Sequence, residues 1–194
     1  TDAFATANGA QVLIDDSGTD WINTSAVSGA SIINLDSGQF EIVGTTGSLS
    51  SWTSIENVYT GDGNDQIKGD AGVNKLYGGR GKDLIEGGLG SDIIDGGNGF
   101  DTAVYAGARG EYTLAFNNIK QTLTVTNSRN ENGVVVSDID QLGGIEALQF
   151  NGGEQALTLN LASNFGNAAP TVASAILSGP LTVADDSNFT IKVP

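Results

Sequence analysis

The chain has 194 residues, 39% of them hydrophobic, enough to bury a core in one or two domains, and its 28 glycines favour turn-rich β structure over a helical bundle. With 23 acidic against 8 basic residues the formal net charge is -15, which repels nucleic acid and anionic membrane surfaces and attracts cations. Cysteine and histidine are both absent, which removes disulfides, thiolate metal sites, the usual zinc ligand and the usual general base.

In chain order, "TDAFATANGA" carries neither the charged nor the apolar region of a leader, and no apolar run approaches the length needed to span a bilayer. The segments "LIDDSGTDWINTS" (13 to 25), "INLDSGQFEIVG" (33 to 44) and "SIENVYTGDGND" (54 to 65) follow, with Trp21 and Trp52 expected to pack against the β core. A strict nine-residue period then takes over. In "GGRGKDLIEGGLGSDIIDGGNGFD" a glycine pair begins at Gly78, Gly87 and Gly96, and an aspartate stands five residues later at Asp83, Asp92 and Asp101. Weaker copies extend the frame backwards, "GDAGVNKLY" (69 to 77) with Asn74 in the aspartate place and "TGDGNDQIK" (60 to 68) with Asp65. The eighth position is apolar in all five units, Ile67, Leu76, Ile85, Ile94 and Ala103, which predicts a very short strand with one inward side chain and a turn made by the other positions.

After the repeats, "EYTLAF" (111 to 116), "QTLTVTN" (121 to 127), "GVVVSD" (133 to 138) and "IEALQF" (145 to 150) read as strands between turn signals such as "RNENG", expected to cap the open end of the stack. Asp138 and Asp140 between them read as surface or minor metal-binding residues. From about residue 161, "LASNFGNAAPTVASAI" reads as a linker, and "LTVADDSNFTIKVP" stops inside a strand-like pattern. The missing initial methionine and that ending suggest a piece of a longer protein.

The five units resemble the calcium-binding nonapeptide repeat of RTX proteins, G-G-x-G-x-D-x-U-x. The resemblance implies an all-β fold, a parallel β-roll in which two nonapeptides make one coil and turns eighteen residues apart stack on one side. It further implies an ion between stacked turns, held by carbonyls of positions two and four with the aspartate of one turn, and by carbonyls of positions one and three with the aspartate of the next. Carried over, Gly61, Gly63 and Asp65 join Gly78, Arg80 and Asp83; Asp70, Gly72 and Asn74 join Gly87, Leu89 and Asp92; and Gly79, Gly81 and Asp83 join Gly96, Asn98 and Asp101. Arg80 and Leu89 supply only carbonyls, and the neutral Asn74 weakens the second set. A phosphate loop is excluded because Lys82 is followed by Asp83, and an EF-hand because its sixth position would be Ile67. The bland alternative is that glycine and aspartate make ordinary turns.

The stretch from about 11 to 105 also resembles the non-catalytic part of serralysin-type metalloproteases, which implies one more calcium site from carbonyls of Asp15, Ser17, Gly18 and Ser54 with the carboxylates of Asp20 and Glu56. Protease activity does not carry over, since the zinc of those enzymes sits on an H-E-x-x-H helix and this chain has no histidine. Four segments are expected: a β flank at 1–59, the roll at 60–105, capping strands at 106–160, and at 161–194 a linker with the cut start of a segment similar to cadherin-like or immunoglobulin-like repeats. The expected function is a non-enzymatic calcium-binding module, with several Ca2+ ions, of a large secreted, adhesin-like bacterial protein. By family resemblance it folds on calcium after export through type I secretion machinery. The alternative is an accessory domain of a secreted hydrolase. An extracellular protein or glycan ligand is left open, although no cluster of exposed aromatics is evident in the sequence.

Overall fold

The computed structural model describes residues 3–7, 10–14, 18–43, 49–117, 119–131, 134–150, 155–160, 171–172 and 188–191. Apart from turns and a single 3-10 turn at Arg109–Glu111, the described residues form strands. No helix among them is long and apolar enough to cross a membrane. The fold is an all-β parallel β-roll.

Each repeat contributes one three- or four-residue strand at positions seven to nine: Gln66–Lys68, Lys75–Tyr77, Leu84–Glu86, Ile93–Asp95 and Thr102–Tyr105. Glycine in the following unit ends each of the first four strands, and the six-residue turn carries the chain to the opposite face. Odd and even units therefore fall into two separate sheets. Leu84–Glu86 pairs in parallel with Gln66–Lys68 on one side and Thr102–Tyr105 on the other. Across the roll, Lys75–Tyr77 lies parallel between Asn57–Tyr59 and Ile93–Asp95.

The alternation of strand side chains puts only position eight inside. Ile67, Ile85 and Ala103 stack on one wall and Leu76 and Ile94 on the other, all buried. Each large aliphatic side chain so buried contributes about 2 kcal/mol. Position-nine side chains face solvent, where Lys68 and Glu86 of neighbouring coils pair at 3.2 Å.

Both flanks prolong this stack. Before the repeats, Trp21–Asn23 pairs in parallel with Asn57–Tyr59, and Ser31–Asn34 pairs in parallel with Gln66–Lys68. Ile22, Val58 and Ile33 add buried rungs to the two walls. After the repeats, a long hairpin of Thr122–Glu131 and Val134–Gly143 leaves the roll and returns to it. Its last residues, Gln141 to Gly143, pair in parallel with Ile93–Asp95, and Ala147–Phe150 pairs in parallel with Thr102–Tyr105. Leu142 and Leu148 thereby take the position-eight places of a further coil, both buried.

Two expectations change. The strands around "RNENG" run on to Glu131 and resume at Val134, because Glu131 and Val134 pair directly and leave little of that stretch for a turn. Trp21 is not in the core: it is 43% exposed and stacks on Tyr77, which stacks on Tyr59, with centroids 5.8 and 5.6 Å apart. An outward aromatic cluster is thus present, three rings stacked in a row with Tyr77 in the middle. Trp21 occupies position seven of its strand, and alternation points that position outward; Trp52's side chain lies outside the described residues.

Candidate metal centre

Turns eighteen residues apart lie directly on top of one another. The Arg80, Leu89 and Asn98 amides donate to the carbonyls of Gly61, Asp70 and Gly79 at 2.8, 3.0 and 2.8 Å. Glycine at positions two and four is what permits this approach. A Cβ on Gly81 would collide with the Gly63 carbonyl, one on Gly90 with that of Gly72, and one on Gly99 with that of Gly81. Gly81 also has φ +141°, which L side chains rarely adopt.

The aspartates form ladders along the two edges of the roll. On one, the Asp65 amide donates to Asp83 Oδ1 and the Asp83 amide to Asp101 Oδ1, each at 2.8 Å. On the other, the Asn74 amide donates to Asp92 Oδ1 at 2.9 Å. The second carboxylate oxygens of Asp65, Asp83, Asp92 and Asp101 are buried without any hydrogen-bond partner. In its own turn, Asp83 Oδ2 sits over Gly78, where the Gly96 carbonyl of the next turn also arrives. All three sets of residues that the repeat frame assigns are therefore brought together, six to a set. Arg80 and Leu89 turn their side chains to solvent, as carbonyl donors can.

Stacked carboxylates without a cation resist ionisation. Burial, then the charges of Asp101 and Asp65, push Asp83 up to about 7 against the pull of the Asp65 amide. Burial and the charges of Asp140, Asp138 and Asp70 push Asp92 to about 7 as well. Asp101 is also raised, by burial first and then by Glu146 and Asp95.

These residues fit calcium. It takes six to eight oxygens, carboxylate and carbonyl alike, and here buried, unpaired carboxylate oxygens stand beside glycine carbonyls in an acidic chain. No three acidic side chains converge among the described residues, so carbonyls must supply much of any shell.

Asn74 breaks the pattern in a specific way. Its amide nitrogen donates to the Glu56 carbonyl at 2.9 Å and to Asp70 Oδ1 at 3.1 Å, while its oxygen accepts from the Asp70 amide at 2.9 Å. It satisfies itself where aspartate would hold a charge. Asn74→Asp is therefore expected to raise calcium affinity at that rung by about tenfold, equivalent to about 1.4 kcal/mol, and to lower stability in chelator. Calorimetric titration and chemical unfolding with and without calcium read the two effects.

In the flank, the Asp20 amide donates to Glu56 Oε2 at 2.8 Å and the Asn57 amide to the Asp20 carbonyl at 3.0 Å, which brings Gly18, Asp20 and Glu56 to one place. Ser54 has φ 61°. Asp15 and Ser17 lie outside the described residues.

Two acidic residues take part that the nine-residue frame did not reveal. Asp140 Oδ1 accepts from the Asp92 amide at 3.0 Å and Glu146 Oε2 from the Asp101 amide at 2.8 Å, so each ladder runs one rung past the repeats. Asp140 is buried rather than superficial, and burial, then Asp138, pushes its carboxyl to about 6, while Asp138 is half-exposed. The signal available in the sequence was the pair "DQLG" and "EALQ", each an acidic residue two before a buried leucine, as Asp83 is two before Ile85.

No curated protein matches the chain. Residues 54–85 and 69–103 match the family of the RTX calcium-binding nonapeptide repeat, in four copies. The repeat turns and the inner rungs from Asp65 to Asp101 thus lie within the matched segment, and residues 54–103 of this chain match as RTX calcium-binding nonapeptide repeats.

Proposed function

We propose that the chain is a calcium-dependent structural module of a large exported bacterial protein, in which the roll folds when its stacked turns bind calcium outside the cell. The observation that carries this reading is the ladder of buried carboxylates at Asp65, Asp83 and Asp101, each with one oxygen unpaired. Calcium supplies the positive charge that such a ladder lacks. The chain's own residues do the rest: glycines bring carbonyls close, and aspartates bridge neighbouring turns. Three ions are assigned to the repeat turns and one to the flank at Gly18, Asp20 and Glu56.

Extracellular calcium modules bind at about 10⁻⁴ to 10⁻³ M, so such sites are nearly empty where free calcium is scarce and fill where it reaches the millimolar range. Each ion that binds only the folded roll stabilises it by RT ln(1 + [L]/Kd). The adhesin-like context and export through type I machinery rest on the resemblance and on the segment after residue 161, most of which lies outside the described residues.

The test is a calcium titration followed by far-ultraviolet circular dichroism and calorimetry. A cooperative gain of β signal with calcium is expected, and little with magnesium, which demands a smaller octahedral shell. A spectrum indifferent to both calcium and chelator overturns the proposal.

A further inference from the structure

We infer that a further calcium site lies below the first repeat, between the turn of residues 26–31 and that of residues 60–65, with Ser31 standing where the repeats place aspartate. This rests on the calcium reading of the repeats and adds a site they do not include.

The stretch "AVSGASIIN" (26 to 34) has glycine at its fourth place, serine at its sixth and isoleucine at its eighth. It falls out of the repeat's frame, so the period conceals it. In space it repeats the main relations by which two repeat turns stack. The Asp62 amide donates to the Val27 carbonyl at 3.0 Å, as the Arg80 amide does to Gly61. A Cβ on Gly61 would strike the Val27 carbonyl and one on Gly63 the Gly29 carbonyl, as Gly79 and Gly81 stand over Gly61 and Gly63. The Ser31 amide donates to Asp65 Oδ1 at 2.6 Å, as Asp65 does to Asp83. The strand that follows keeps the register, Ile33 against Ile67.

The observation that points to a ligand is a pair of orphans. Ser31 is 1% exposed and its hydroxyl has no hydrogen-bond partner; Asp65, also 1% exposed, has Oδ2 without one. Asp65 can serve the ion of the turn above, but nothing in the three repeat sites uses the Ser31 hydroxyl. A buried hydroxyl left unpaired costs about 1–3 kcal/mol, and a cation between the two turns relieves it. The donors are then the carbonyls of Val27, Gly29, Thr60 and Asp62, the Ser31 hydroxyl and the Asp65 carboxylate. With a single carboxylate, this site is weaker than the one between Asp65 and Asp83.

Ser31→Ala removes the hydroxyl while keeping the backbone N–H that donates to Asp65 Oδ1, and Ser31→Asp supplies the missing carboxylate. Native mass spectrometry and calorimetry on the full chain count the ions and their affinities. Ser31→Ala is expected to bind one calcium fewer, and Ser31→Asp to tighten one weak site by about tenfold, since ligand charge sets affinity. A wild-type chain that binds no calcium sinks the function proposed for the repeats. Calcium binding with both variants unchanged in count and affinity overturns only the added site. Should a variant fail to fold, wild-type crystals grown in calcium decide: density between the two turns supports the site, and filled repeat turns with none there reject it.

Discussion

With calcium chelated, the chain is expected to lose most of its β circular dichroism at about pH 8 and to regain much of it on acidification to about pH 5, with no metal added. The cause lies in Asp83 and Asp92, whose carboxyls are raised from 3.8 to about 7 in the metal-free roll, chiefly by burial and then by neighbouring carboxylates. In the unfolded chain each returns to its ordinary value. The folded form therefore binds these protons more tightly, and the stability they contribute is complete below about pH 4 and lost as the pH rises through about 7. For Asp83 the difference is on the order of 4 kcal/mol above that range, a large share of the stability of a domain this size. Protons thus replace calcium in quenching the ladder. Asp83→Asn in chelator should make the pH profile shallower, because the neutral amide has nothing to titrate and only the part that Asp92 and the other raised carboxyls carry is left. A metal-free spectrum that does not change with pH would falsify the electrostatic account.

The second large effect is steric. Gly72 and Gly81 both occupy the fourth position of a repeat, yet replacement by alanine is expected to be mild at one and severe at the other. An added Cβ on Gly72 meets only Asp70 Oδ1 at 3.2 Å, and Gly72 is exposed. On Gly81 it would collide with the Gly63 carbonyl, at a φ of +141° that alanine resists. The expected loss is below about 1 kcal/mol for Gly72→Ala and about 3 kcal/mol or more for Gly81→Ala. Urea unfolding in saturating calcium measures both. Equal losses at the two positions would show that the turns do not stack on one another in the register described.

That contrast marks where the sequence is legible. Period nine and the apolar eighth position disclose the strands, the two walls and the aspartate rungs, because each depends on residues close together in the chain. They do not disclose which turn has a neighbour beneath it. Gly72 and Gly81 look alike on paper, and only stacking separates them. The outer rungs were hidden for the same reason. Ser31, Asp140 and Glu146 meet the ladders after long insertions, and a frame counted in nines cannot follow a chain that leaves the stack and re-enters it. Asp140 therefore reads in the sequence only as a surface or minor metal-binding residue, and the structure buries it under the Asp92 amide. Trp21 departs for a different reason, since a large aromatic is expected inward and strand alternation turns it out.

The hydrogen bonds along the ladders also carry a kinetic meaning. Inner rungs join residues 18 apart, whereas the outermost ones, from Ser31, Asp20, Glu146 and Asp140, span 34, 36, 45 and 48 residues. Closing a loop costs roughly 0.6 kcal/mol more for each doubling of its length, so the middle of the roll closes more readily than either end. Assembly then starts among the repeats and spreads outward, and the flanks dock onto coils already formed. In this scheme the regular repeats act as the nucleus, and the irregular segments at each end seal the stack against further growth.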